Sequence, residues 1–147
     1  MKHMKHFALM AAMLLCSLSM SAQVVQIDGI WYKLLEWYDH SDAVAVPQDG
    51  TKYSGAISIP SSVMYEGEEY RVDSIDSYVF QNCDGLTSVT IPEGVSVIGE
   101  GTFKNCIGLN SIHLPESVTS IENGAFDGCS SLTSVTILGN ITGGLYD

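Results

Sequence analysis

Positive charge is scarce in this chain. Six Lys and Arg stand against 17 Asp and Glu, for a formal net charge of −11. A surface so acidic repels phosphate backbones and anionic headgroups, which argues against nucleic acid as a partner and keeps the chain dispersed in water. Long apolar runs are missing too. The run from Phe7 to Leu15 falls well short of the roughly 20 residues that a bilayer-spanning helix needs, so stable membrane insertion is not expected. Signatures of chemistry are equally thin: there is no nucleophile elbow, no ordered calcium loop and no short paired-Cys pattern of a zinc site. Asp39, His40 and Ser41 are the residue types of a hydrolase, but three adjacent residues cannot converge as a triad. The chain is expected not to be an enzyme and to hold no cofactor or metal.

What is present begins with an export pattern. Lys2 and Lys5 form a basic start, the apolar run follows, and Ser19 to Ala22 supply small residues before Gln23. This reads as a signal peptide, residues 1–22, cleaved after Ala22. Lipidation at Cys16 would want a small residue before it, and Leu15 stands there. Removing 22 of 147 residues leaves 125, a single-domain length. Lys33, Lys52, Arg71 and Lys104 then face all 17 acids, 4 minus 17, a net of −13.

The organising feature runs from Val72 to Leu138. Phe80, Phe103 and Phe126 are 23 residues apart, as are Cys83, Cys106 and Cys129, and Leu86, Leu109 and Leu132. The same interval separates Val89, Ile112 and Val135, then Ile91, Leu114 and Ile137, then Ile75, Ile98 and Ile121. Apolar residues at fixed phases of such a period mark a solenoid, in which a repeat buries its apolar side only by stacking on its neighbour. The three in-phase cysteines fall about one strand spacing apart. They are expected as free, buried thiols; a disulfide between neighbours is possible on distance alone, although parallel side chains seldom offer its torsion.

Each coil reads as a lead-in, a turn around the Phe, and a strand. In Ser111-Ile112-His113-Leu114 the apolar residues alternate with the others, so Ser111 and His113 point outward. The same phase aligns Ser58, Thr90, His113 and Thr136 in one exposed column, with Ser88, Ser111 and Ser134 beside it. Proline at Pro92 and Pro115 stops pairing at the strand end. The short segment around each Phe is expected to form a 3₁₀ or single α turn, or an irregular convex side. Ahead of the array, Val24–Ile27, Asp28-Gly29 and Ile30–Leu35 read as a hairpin, followed by a strand at Ala43–Val46. With Trp31, Tyr32, Trp37 and Tyr38 close together, residues 23–52 read as an amino-terminal β cap over the first coil. Glu66, Gly67, Glu68 and Glu69 suggest a solvated hairpin. Residues 53–138 form the solenoid, and residues 139–147 are a tail or truncated cap: either the array continues, or Ile141, Leu145 and Tyr146 fold back over the last coil. In the first case the bare coil could stack on a second copy.

The unit Ser120-Ile121-Glu122-Asn123-Gly124-Ala125-Phe126-Asp127-Gly128-Cys129-Ser130-Ser131-Leu132-Thr133-Ser134-Val135-Thr136-Ile137 resembles the 23-residue leucine-rich repeat of BspA-like bacterial surface proteins. The resemblance implies a leucine-rich-repeat solenoid of short parallel strands, secreted or displayed at the cell surface, and adhesion to host matrix proteins or other cells. It implies no catalytic residues. The expected partner is an extracellular protein or glycan, bound weakly and multivalently on the hydroxyl column, since large aromatic and Arg anchors are absent from it.

Overall fold

The computed structural model describes residues 22–36 and 40–142; Trp37, Tyr38 and Asp39, nearly all of the signal segment, and Leu145 and Tyr146 lie outside the described residues. All regular structure among the described residues is strand. The strands are β1 (Gln23–Ile27), β2 (Ile30–Glu36), β3 (Ser41–Ala45), β4 (Gly55–Ser58), β5 (Ser62–Tyr65) and β6 (Glu68–Ile75). They continue as β7 (Leu86–Thr90), β8 (Val97–Ile98), β9 (Ser111–Leu114), β10 (Ser120–Ile121) and β11 (Ser134–Ile137).

Two sheets form. One is a four-stranded parallel ladder in the order β11-β9-β7-β4, built from the strand of each coil. The other runs β1-β2-β3-β6-β8-β10, with β5 paired to β6. Its parallel part uses the lead-in segments, so Ile75 pairs with Ile98 and Ile121 with Ile98 one coil further on. That second ladder was not foreseen in the sequence, because only two residues per coil pair and no alternation can be read from so short a run.

Two hairpins feed this sheet. Asp28-Gly29, at φ of 49° and 86°, joins β1 to β2, and Glu66-Gly67, at 49° and 87°, joins β5 to β6. Positive φ at both central residues is the turn that matches strand twist. The acidic loop is thus the tip of a hairpin whose second strand enters the main sheet. On the other side β3 pairs in parallel with β6, through a register shift between Ala43 and Val44.

The third side of each coil takes the irregular form of the two expected. The segment around the Phe forms single i→i+3 turns, with Cys83 N donating to Phe80 O at 3.2 Å and Cys106 N to Phe103 O at 3.0 Å, that do not run on into a 3₁₀ or α helix. Tyr78, Gly101 and Gly124 share one phase and Asn82, Asn105 and Gly128 another, and all six have positive φ. A left-handed residue at both ends of the segment breaks the run of negative φ that a 3₁₀ helix requires. In exchange, alternate amides turn along the stack. Tyr78, Phe80 and Asn82 donate to Glu100 O, Thr102 O and Lys104 O, and Gly101, Phe103 and Asn105 donate to Asn123 O, Ala125 O and Asp127 O, all at 2.7–3.1 Å. Every side of the coil is therefore hydrogen-bonded to its neighbour, which leaves few buried amides orphaned.

The core is one cluster from Ile30 to Ala125. Its axis is a file of rings: Phe80 and Phe103 stack at 5.3 Å and 1°, Phe103 and Phe126 at 5.4 Å and 8°. Tyr53 closes the file against Phe80, edge-on at 5.0 Å. The thiols lie beside it. Cys83, Cys106 and Cys129 are free. The Cys106 Sγ–H donates to Phe80 O at 2.9 Å, and that of Cys129 to Phe103 O at 3.0 Å. Burial pushes the Cys106 thiol up to about 12 and raises the other two, which suits inert core residues.

Candidate functional site

The broadest regular surface is the outer face of the β4-β7-β9-β11 ladder. A parallel ladder with a strict 23-residue repeat stacks like residues over like, because a one-residue slip would drive Val89 and Ile112 into solvent. The register shows it. Ser58 pairs with Thr90, Thr90 with His113, and His113 with Thr136; beside them Ser88 pairs with Ser111 and Ser111 with Ser134. Ser58, Thr90, His113 and Thr136 are all exposed, while Ser88 and Ser111 are half-buried and Ser134 is exposed at the end. The structure thus brings all seven residues onto one face in two adjacent columns. Rungs of a sheet lie about 4.8 Å apart, so four rungs span about 15 Å. The columns carry hydroxyls and one imidazole and no carboxylate, an uncharged strip on an acidic protein.

The edges of this face are tied between coils. Glu93 accepts from the amides of Glu116 and Ser117 at 3.3 Å each, and Ser117 Oγ donates to Val95 O at 2.8 Å. Across the coil, Asn105 Nδ2 donates to Asn82 Oδ1 at 3.0 Å, the start of an asparagine ladder. Such ties hold the strip rigid.

Two further arrangements went unread in the sequence. Tyr78 takes the left-handed position that later coils give to Gly101 and Gly124, donates to the Glu100 carboxylate, and lays its ring where a Cβ on Gly101 would sit. The signal was in the alignment of the repeats, since a Tyr in phase with two Gly is conspicuous. His40 lies 3.1 Å from the buried Asp42, whose other oxygen accepts from Arg71 at 3.0 Å. Asp42 is thereby shared between two bases and anchors β3 to β6; Asp39 lies outside the described residues. Among the described residues no group of His, Cys, Asp and Glu could hold a metal ion, and no helix is long and apolar enough to cross a membrane.

Comparison with known proteins agrees with this architecture. Residues 56–143 match the BspA type leucine rich repeat region in six copies. No protein of curated function matches the sequence. Among solved structures, the chain is similar to a leucine rich cell surface protein from Faecalibacterium prausnitzii, at 30% identity and a TM-score of 0.67, over 84% of this chain and 32% of that one. It is also similar to a leucine-rich repeat protein from Bacteroides ovatus, at 32% identity and a TM-score of 0.64, over 77% of this chain and 29% of that one. A leucine rich repeat protein of T. pallidum shares the fold at 24% identity, with a TM-score of 0.60, over 78% of this chain and 50% of that one. The chain spans about a third of the length of the first two. With the repeat, the ring file and the family match in agreement, the chain belongs to the BspA-type leucine-rich repeat family.

Proposed function

We infer that the chain is an exported binding module, displayed at or released from the cell surface, whose parallel ladder presents Ser58, Thr90, His113 and Thr136, with Ser88, Ser111 and Ser134, to an extracellular protein or glycan. The observation that carries this reading is the register: equivalent small polar residues repeat at a fixed spacing on a rigid, uncharged face. A periodic strip suits an extended ligand, which can engage several rungs at once. Hydroxyls and one imidazole offer adaptable hydrogen bonds without the deep aromatic or Arg anchors of tight interfaces, so binding is weak per site and strengthened by repetition. The basic start and apolar run of residues 1–22 support export, and residues 23–52 serve as the cap that closes the first coil. The fold offers no reason to assign catalysis.

The test is surface plasmon resonance against immobilised matrix glycoproteins and a glycan array. Replacing Thr90, His113 and Thr136 together by Glu leaves the inward residues untouched and is expected to abolish any binding that the wild type shows. Binding that survives the triple substitution would place the site elsewhere.

A further inference from the structure

The amino-terminal sheet brings two of its edges together. β1 and β5 stand at opposite ends of the run β1-β2-β3-β6-β5. Laid flat, four strand spacings would part them by about 19 Å. Instead, Gln23 Nε2 donates to the Tyr65 hydroxyl at 2.7 Å. The run therefore curls round its own core. Tyr32 and Leu34 on β2 stand opposite Ala45 and Ala43 on β3, whose small, fully buried side chains leave room for the curl. Gln23 shares a side of β1 with Val25 and Ile27, which pack against the core, so its amide follows them inward. Tyr65 rests against the same core and meets that amide at the exposed rim.

Gln23 is also the residue that cleavage after Ala22 leaves at the head of the chain. It is exposed and opens β1. An amino-terminal glutamine carries an electrophile within reach of its own amine, since Cδ and the α-nitrogen close a five-membered ring without any second molecule. The difficult part is the leaving group. An amide nitrogen departs only once it has gained a proton, so an acid placed on that nitrogen speeds the reaction. The one side-chain contact of Gln23 puts a hydroxyl there.

We propose that in the exported chain, given cleavage after Ala22, Gln23 closes to a pyroglutamyl lactam and that Tyr65 is the acid for the departing nitrogen. The α-amine attacks Cδ and forms the new N–Cδ bond. The Cδ–Nε2 bond then breaks, Nε2 takes the Tyr65 proton and leaves as ammonia, and the proton given up by the attacking amine returns to Tyr65 through water. No oxidant or other reactant enters. The hydroxyl accepts from Nε2 in the resting amide and, turned about its C–O bond, donates to the same atom as it leaves. The product has no amine to protonate, so the mature terminus is neutral, and it offers no free α-amine to exopeptidases that grip one. The modification is independent of what the hydroxyl strip binds.

Intact-mass spectrometry tests this. The full chain, with a site-specific protease sequence in place of residues 19–22, is purified folded and cut directly before Gln23, which starts the reaction at a known time. Loss of the mass of one ammonia is expected, at a rate about tenfold or more above that of the same cut chain transferred to denaturing urea. Tyr65→Phe keeps the ring on the core and removes only the hydroxyl. It is expected to bring the folded rate down to the rate in urea, with an unchanged circular dichroism spectrum, and Gln23→Glu to lose no ammonia at all. A folded chain that cyclises no faster than the unfolded one, or a Tyr65→Phe chain that keeps the wild-type rate, would overturn the role of Tyr65. In a second arm, the unaltered sequence is expressed in an exporting bacterium and the exported chain is weighed. A chain that begins at Gln23 with its ammonia retained would overturn the lactam and leave the cleavage reading standing. A chain that begins at any other residue would overturn the cleavage reading and the lactam in the mature protein, while the rate comparison still decides the chemistry.

Discussion

Replacing the rings of the central file one at a time by Leu separates a stacked array from an ordinary core. Phe103 is fully buried and has a ring on each side, at 5.3 and 5.4 Å. Phe126 is half-buried and has one ring neighbour at 5.4 Å. A hydrophobic swap that keeps most of the volume costs about 1.5 kcal/mol or less in lost packing. Each stacked pair adds about 0.5 to 1.5 kcal/mol beyond burial. Phe103→Leu loses two such pairs and is expected to cost about 2 to 4 kcal/mol; Phe126→Leu loses one, from a site already open, and should cost about 1 to 2 kcal/mol. Phe80→Leu should resemble Phe103→Leu, because Tyr53 packs edge-on against its free side at 5.0 Å. Urea unfolding followed by circular dichroism gives the midpoints. A domain of this size has only about 5 to 15 kcal/mol in hand, so the difference between the two sites is a readable part of the whole. Equal losses at Phe103 and Phe126 would refute the nearest-neighbour reasoning, since the interior and the end of a stack cannot then be told apart.

Gly108→Ala should destabilise by about 2 kcal/mol or more, because a Cβ there meets the carbonyl oxygens of Asp84 and Leu86, whereas Gly67→Ala, in open space at φ 87°, should cost only the backbone strain of about 1 kcal/mol; thermal melts compare them. Alkaline stability follows from three buried acids. Burial, with Tyr53 and Asp28 adding to it, pushes Tyr32 up from 10.0 to about 12; burial and the hydrogen bond to Glu36 do the same to Tyr70, and burial raises Cys106 from 9.0 to about 12. All three stay protonated in the folded chain while the unfolded chain ionises first, so stability should be level below pH 9 and fall progressively between pH 9 and 12. Urea midpoints across that range check the sign, and Tyr32→Phe should flatten part of the fall. Arg71→Met removes one partner of the buried Asp42 carboxylate and should cost about 1 to 3 kcal/mol, measured by the same denaturation.

Much of the fold could be read from the chain because a solenoid writes its contacts into its period. Phe80, Phe103 and Phe126 share a phase and stack, and the outward column follows from alternation in Ser111–Leu114. The second ladder at Ile75, Ile98 and Ile121 was written just as regularly, yet two paired residues per coil give no alternation to detect. Of the 3₁₀ and irregular forms open for the convex side, the irregular one is found, because left-handed residues flank each Phe; Asn82, Asn105, Gly101 and Gly128 are residue types that take positive φ readily, whereas Tyr78 gives no such sign. Tyr53, which packs edge-on against Phe80 at the head of the file, does not stand in the Phe phase even after the 32-residue offset of the first coil is allowed for, so the period could not point to it. The candidate strip was legible as placement. Its ligand was not, because hydroxyls recognise many partners and the sequence singles out none.

The most direct test of the whole account is a nuclear Overhauser experiment on the aromatic side chains. Stacked coils predict cross-peaks from the ring protons of Phe103 to those of both Phe80 and Phe126, at the 5.3 and 5.4 Å centroid spacings, and none between Phe80 and Phe126. A Phe103 ring that contacts only one of its two counterparts, or Phe80 and Phe126 found touching, would contradict it.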